Sequence, residues 1–130
     1  MISKLIDKIV NTKAPIVVGL DPKLSFIPER ILRESFDEKG RTPAGAAEAF
    51  YRFNREIIDS VCDIVPAVKP QIAMYEELGI EGLITFKKTV DYAKEKGLIA
   101  KVMPVVEDME SHKIFFSQAL KEQIRRIAKE

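Results

Sequence analysis

The chain has 130 residues, 46% of them hydrophobic and 32% charged, a composition that suits one soluble domain built on a single core. Its 21 basic residues balance 20 acidic ones to a net charge of +1, which advertises neither a nucleic-acid surface nor a membrane surface, although a local site for a small anion needs only a few cations. No apolar run approaches the ~20 residues of a membrane span, and the one cysteine, Cys62, cannot close an internal disulfide.

The opening Met1-Ile2-Ser3-Lys4-Leu5 runs on as an amphipathic pattern and lacks the uninterrupted apolar stretch of a signal peptide, so the expected compartment is the cytoplasm. Ile2, Leu5, Ile6 and Ile9 recur at helical spacing behind Ser3 and predict a helix over 2–11, a lid on the bottom of a sheet. Residues 15–20, a compact β-branched run, read as the first strand; it ends in Asp21 and is stopped by Pro22. Residues 22–43 carry Pro22, Pro28, Gly40 and Pro43 around a short helical piece at 29–36. This long excursion is either a binding loop or, the blander reading, a surface insertion.

Thr42-Pro43 is a strong helix start, threonine as cap and proline at the first helical position, and Ala46, Phe50, Phe53, Ile57, Val61 and Ile64 then recur every three or four residues. Arg52, Arg55, Glu56, Asp59 and Asp63 fall off that stripe and form its solvated side. Cys62, in the same stretch, reads as a small buried or half-buried side chain and not as a nucleophile. A second strand at 67–69 ends on Lys69 and is closed by Pro70. A helical piece at 74–78 follows, then a long helix over 80–96 with Leu83, Phe86, Val90 and Ala93 inward and Gly97 as its stop. Residues 98–103 predict a third strand. Residues 114–129 predict a terminal amphipathic helix through Phe116, Leu120, Ile124 and Ile127, and the acidic run Glu107, Asp108, Glu110 with His112 before it reads as a cap of its positive end in preference to a metal site.

The alternation of helix and strand predicts an α/β fold with a parallel sheet, doubly wound or part of a (β/α)₈ barrel. Such sheets keep their chemistry at the carboxyl ends of the strands, and two strands here end in a charge. If they are neighbours, Asp21 and Lys69 leave the same rim and form an ion pair or grip one polar ligand. A charged residue just past a strand is often no more than the first solvated residue of a loop. Here both are locked between an apolar run and a proline, which favours a site.

Four blocks carry a resemblance: 15–22, Pro-Ile-Val-Val-Gly-Leu-Asp-Pro; the helix from Ala46 to Asp63; 65–76, Val-Pro-Ala-Val-Lys-Pro-Gln-Ile-Ala-Met-Tyr-Glu; and 79–99. Over about residues 1–99 the chain resembles orotidine 5′-phosphate decarboxylase of the longer bacterial subfamily. The resemblance implies a TIM barrel, dimerisation across the open strand ends, and conversion of the nucleotide orotidine 5′-phosphate to uridine 5′-phosphate and carbon dioxide in pyrimidine biosynthesis, with no metal and no organic cofactor. It implies that Asp21 hydrogen-bonds a ribose hydroxyl, and that Lys69, as a catalytic and substrate-binding residue, contacts the ribose and pairs with an acid of strand three.

In the family that third strand ends in Asp-x-Lys-x-x-Asp, whose lysine stabilises and protonates the carbanion. Residues 100–113 cannot be laid over this motif, and Lys101 falls too early in the strand to take the lysine's role. The phosphate loops of strands seven and eight have no counterpart either. The expectation is therefore a single truncated domain over 1–130, family-like over 1–99 and divergent over 100–130. About three β-α units cannot close a barrel of ~250 residues, so a bare strand edge invites a homo-oligomer or another association. Two functional readings follow: a decarboxylase homologue impaired as this chain, or a catalytically inactive fragment or interaction module of that family. Another phosphosugar-processing member of the same superfamily is the weaker third.

Overall fold

The computed structural model describes residues 2–100, which lie in one compact unit, Met1–Ala100. The expected strand residues beyond Ala100, Lys101, the acidic run with His112, and the helix at 114–129 all lie outside the described residues. The elements run α1 (Ile2–Thr12), β1 (Val17–Leu20), a 3₁₀ turn (Leu24–Phe26), α2 (Glu29–Lys39), α3 (Pro43–Val61), β2 (Ala67–Pro70), α4 (Ile72–Glu76), α5 (Gly79–Glu95) and β3 (Ile99–Ala100). The strands form one parallel sheet in the order β1-β2-β3. This is the α/β arrangement expected of a partial (β/α) TIM-type barrel.

Local chemistry sets the element ends. The Thr42 hydroxyl accepts the Gly45 N–H at 3.1 Å and so caps α3, with Pro43 at its first position. At the far end of α5, Gly97 takes φ +82°, a left-handed conformation that glycine adopts without a Cβ penalty. Its N–H bonds the Lys94 carbonyl at 2.9 Å and the Leu98 N–H bonds Ala93 at 2.9 Å, the paired bonds of a Schellman stop. The excursion after β1 is mostly α2, which runs three residues past its expected end. It packs on α3 and buries Ile31 and Ser35, and Pro22 and Ile27 are buried at its entry. The lid expected of α1 is incomplete: Leu5 and Ile9 are half-buried, whereas Ile6 and Val10 are exposed.

The core lies between the sheet and the pair α3 and α5, which pack together. Leu83, Phe86, Val90 and Ala93 of α5 are buried, as their spacing predicts. The inward line of α3 is rotated from the expected one. Ala47, Phe50, Asn54 and Ile58 are buried, Phe53, Ile57 and Val61 only half-buried, and Ile64 lies past the helix end and exposed. The cause is polar. Asn54 sits mid-core because Tyr75 and Thr89 bond it there, and the Thr85 hydroxyl of α5 donates to the Ala47 carbonyl of α3 at 3.1 Å.

Tyr75 of α4 is fully buried between two rings, edge-on to Phe50 (centroids 6.1 Å apart) and to Phe86 (5.2 Å). The start of α5 closes so tightly on α4 that a Cβ on Gly82 would run into the Tyr75 carbonyl oxygen, a backbone atom that cannot turn aside. Glu76, the last residue of α4, carries a buried Oε1 without a hydrogen-bond partner among the described residues, and burial pushes its carboxyl up to about 7.

Two stability predictions follow from this packing. Gly82→Ala is expected to lower the unfolding free energy in urea by roughly 1–3 kcal/mol, the usual cost of overpacking, although helix propensity alone would favour alanine by about 1 kcal/mol; the sign of the change separates the two effects. For Glu76 the folded-state value lies above the unfolded value of 4.5, so the folded protein keeps a proton that the unfolded chain has released. Its contribution to stability is therefore present at low pH and lost as the pH rises from about 4.5 through about 7. Glu76→Gln is expected to be more stable than the parent near pH 8 and equal to it near pH 4, read as the difference in urea midpoint across that range.

Candidate functional site

Parallel pairing fixes the geometry of the rim. Val17 lies opposite Ala67, Val18 opposite Val68, Gly19 opposite Lys69 and Leu20 opposite Pro70. Paired residues share a face and the faces alternate along a strand, so Leu20, Val68 and Pro70 turn to the buried side while Val17, Gly19 and Lys69 turn to the open side. Asp21, two residues past Gly19, returns to the open side. Its carboxylate folds back over Gly19: a Cβ placed there would stand 2.9 Å from Asp21 Oδ2. The acid thus occupies the space that a side chain opposite Lys69 would fill.

The structure therefore brings both expected residues to one face at the carboxyl ends of adjacent strands, and both are exposed. Among the described residues no ion pair joins them, so of the two arrangements read from the sequence the ion pair is not formed. The described part of strand three, Ile99–Ala100, carries no acid to pair with Lys69.

Beneath the rim lies a buried polar set that sequence reasoning missed. The Tyr75 hydroxyl donates to the Leu20 carbonyl at 2.9 Å, the Asn54 amide nitrogen donates to the Tyr75 oxygen at 2.9 Å and to Thr89 Oγ1 at 3.2 Å, and Asn54 Oδ1 has no partner among the described residues. Burial first, and then the nearby Asp21 charge, push the Tyr75 phenol well above its ordinary range, which keeps it a proton donor. The one signal in the sequence was Asn54 itself, a polar residue at helical spacing from Phe50 and Ile58.

An open depression on the outer helices is lined by Ile31, Glu34, Arg52, Arg55, Glu56 and Asp59 and shares no residue with the rim. Its charges largely satisfy one another. Arg52 reaches Glu48 at 2.9 Å, Glu34 at 3.3 Å and also Glu38, Arg30 pairs with Glu56, and Arg55 stands 5.0 Å from the ring of Tyr92. This is the solvated side of α3 expected from its charges. Cys62 is half-buried, its Sγ 3.7 Å from the Asp59 carbonyl oxygen. Among the described residues no three histidine, cysteine, aspartate or glutamate side chains gather to hold a metal, and no helix is long and apolar enough to cross a membrane.

Comparison with known proteins gives one consistent direction. No family model matches the chain. Among curated proteins, the orotidine 5′-phosphate decarboxylase of Clostridium novyi is 42% identical over 91 residues, 70% of this chain and 29% of that protein. The protein of the same name from Clostridium kluyveri is 46% identical over 87 residues, 67% and 27% of the two chains, and that of Rhodopirellula baltica is 41% identical over 91 residues. A crystal structure from Streptomyces avermitilis, provisionally identified as an orotidine 5′-phosphate decarboxylase, superposes with a TM-score of 0.55 at 26% identity, covering 75% of this chain and 30% of that one. The chain spans somewhat under a third of the length of the curated relatives it matches. Over about 70% of its residues it is similar to orotidine 5′-phosphate decarboxylases, and its three parallel strands with their helices are part of a barrel of that type.

Proposed function

We propose that this chain carries the ribose-binding part of an orotidine 5′-phosphate decarboxylase site and holds a pyrimidine nucleoside 5′-phosphate without completing proton transfer by itself. The observation that supports the reading is the placement of Asp21 and Lys69 on one open face, opposite each other across Gly19. An acceptor and a cation flanking one space suit a diol: the carboxylate accepts from one hydroxyl and the ammonium donates to its neighbour. Residues 100–113 contain no Asp-x-Lys-x-x-Asp, so the lysine that would stabilise and protonate a carbanion has no counterpart there. The reaction, the nucleotide and the cytoplasmic setting come to this chain through its relatives and belong to this proposal.

The second reading, an interaction module that pairs with another chain, has its own support. Among the described residues β1 lies at one margin of the sheet, with Ile16 and Val17 exposed, and a bare strand edge is a template for pairing. A concentration-dependent mass in light scattering, abolished by Val17→Lys, would favour it.

The binding reading is tested by titrating the full chain with uridine 5′-phosphate and following amide shifts. Asp21→Asn and Lys69→Ala are each expected to weaken binding by about ten- to a hundredfold, the worth of a hydrogen bond to a charged group. Gly19→Ala, which must push the Asp21 carboxylate off its position, is expected to weaken binding similarly with the urea midpoint nearly unchanged. In an absorbance assay with orotidine 5′-phosphate no turnover is expected. Turnover that disappears in Lys69→Ala would replace this reading with an active decarboxylase, and wild-type affinity in both rim variants would remove the site.

A further inference from the structure

We infer that Tyr75, with Asn54 behind it, is a positioning residue for Asp21. The functional meaning of this inference rests on the reading of Asp21 as a ribose-binding group, but the geometry stands on its own. A peptide unit is planar, so the Leu20 carbonyl, the Asp21 nitrogen and the Asp21 Cα share one rigid plane. Holding the Leu20 oxygen therefore holds the root of the Asp21 side chain. The Tyr75 hydroxyl supplies a donor from below at 2.9 Å.

The donor is itself fixed. Tyr75 is wholly buried between Phe50 and Phe86, and the Asn54 amide occupies an acceptor position of its oxygen, which leaves the phenolic hydrogen directed at Leu20. Asn54 is held by Thr89 of α5. One chain of hydrogen bonds thus runs from α5 through α3 and α4 to the peptide that precedes Asp21. Tyr75 acts through the backbone and touches no ligand.

The test compares Tyr75→Phe with Thr85→Val in the full chain. Each removes one buried hydroxyl that donates to a backbone carbonyl, but the Thr85 partner is Ala47, inside α3 and away from the rim. Amide hydrogen exchange under native conditions reads the position of Asp21 without any ligand, and uridine 5′-phosphate titration reads the consequence. Tyr75→Phe is expected to speed exchange at Asp21 about tenfold more than at α3 amides and to weaken the nucleotide about tenfold, while Thr85→Val does neither at the rim. Should Tyr75→Phe fail to fold, Asn54→Ala keeps the phenol, removes its donor, and is expected to loosen Asp21 in the same selective way. Equal behaviour of the tyrosine and threonine variants, or unchanged exchange at Asp21, overturns the inference. Selective loosening of Asp21 in a parent chain that binds no nucleotide leaves the positioning intact and removes the ribose-binding reading instead.

Discussion

The fold turns on a phenol that has nowhere to go but the backbone. A ring as deeply buried as Tyr75 must satisfy its hydroxyl inside the protein, since an unpaired polar group there costs on the order of 1–3 kcal/mol. It does so on the Leu20 carbonyl, at the last residue of β1. The same residue is gripped at its backbone, because α5 closes on the Tyr75 carbonyl through the missing side chain of Gly82. Four elements, β1, α3, α4 and α5, therefore meet on one side chain, and the end of the strand that carries Asp21 is where they meet.

This arrangement explains why some of the molecule was legible in the sequence and some was not. The first two strands were legible because each is an apolar run cut off by a proline, and the α3 start and α5 stop because Thr42-Pro43 and Gly97 have one local physical use each. That Asp21 and Lys69 leave one rim followed from strand order. Their common face did not, because it depends on the register Gly19 to Lys69, and a slip of one residue would have turned one of them to the core. The inward line of α3 was misjudged for a related reason: hydrophobic spacing counts Asn54 as outward, whereas three mutually bonded polar residues, Asn54, Tyr75 and Thr89, are more cheaply buried together than apart. The extra turn of α2 carried no apolar signal at all, since residues 37–39 are Asp-Glu-Lys.

The two faces of the sheet also differ in what they allow chemically. The side under α5 is dry, with Leu20 and Val68 essentially inaccessible, while Asp21 and Lys69 stand in water. Two unit charges 4 Å apart interact by about 1 kcal/mol in water and about 4 kcal/mol at an effective dielectric of 20. An exposed acid and amine can therefore hold polar groups by hydrogen bonding, which survives exposure, but they cannot generate the strong fixed field that stabilises developing charge, which requires water to be excluded. Covering the open face is thus a chemical requirement as much as a structural one. Whatever packs over Val17, Gly19 and Lys69 changes the dielectric in which the Lys69 ammonium acts, and with it the strength of every electrostatic interaction that ammonium makes.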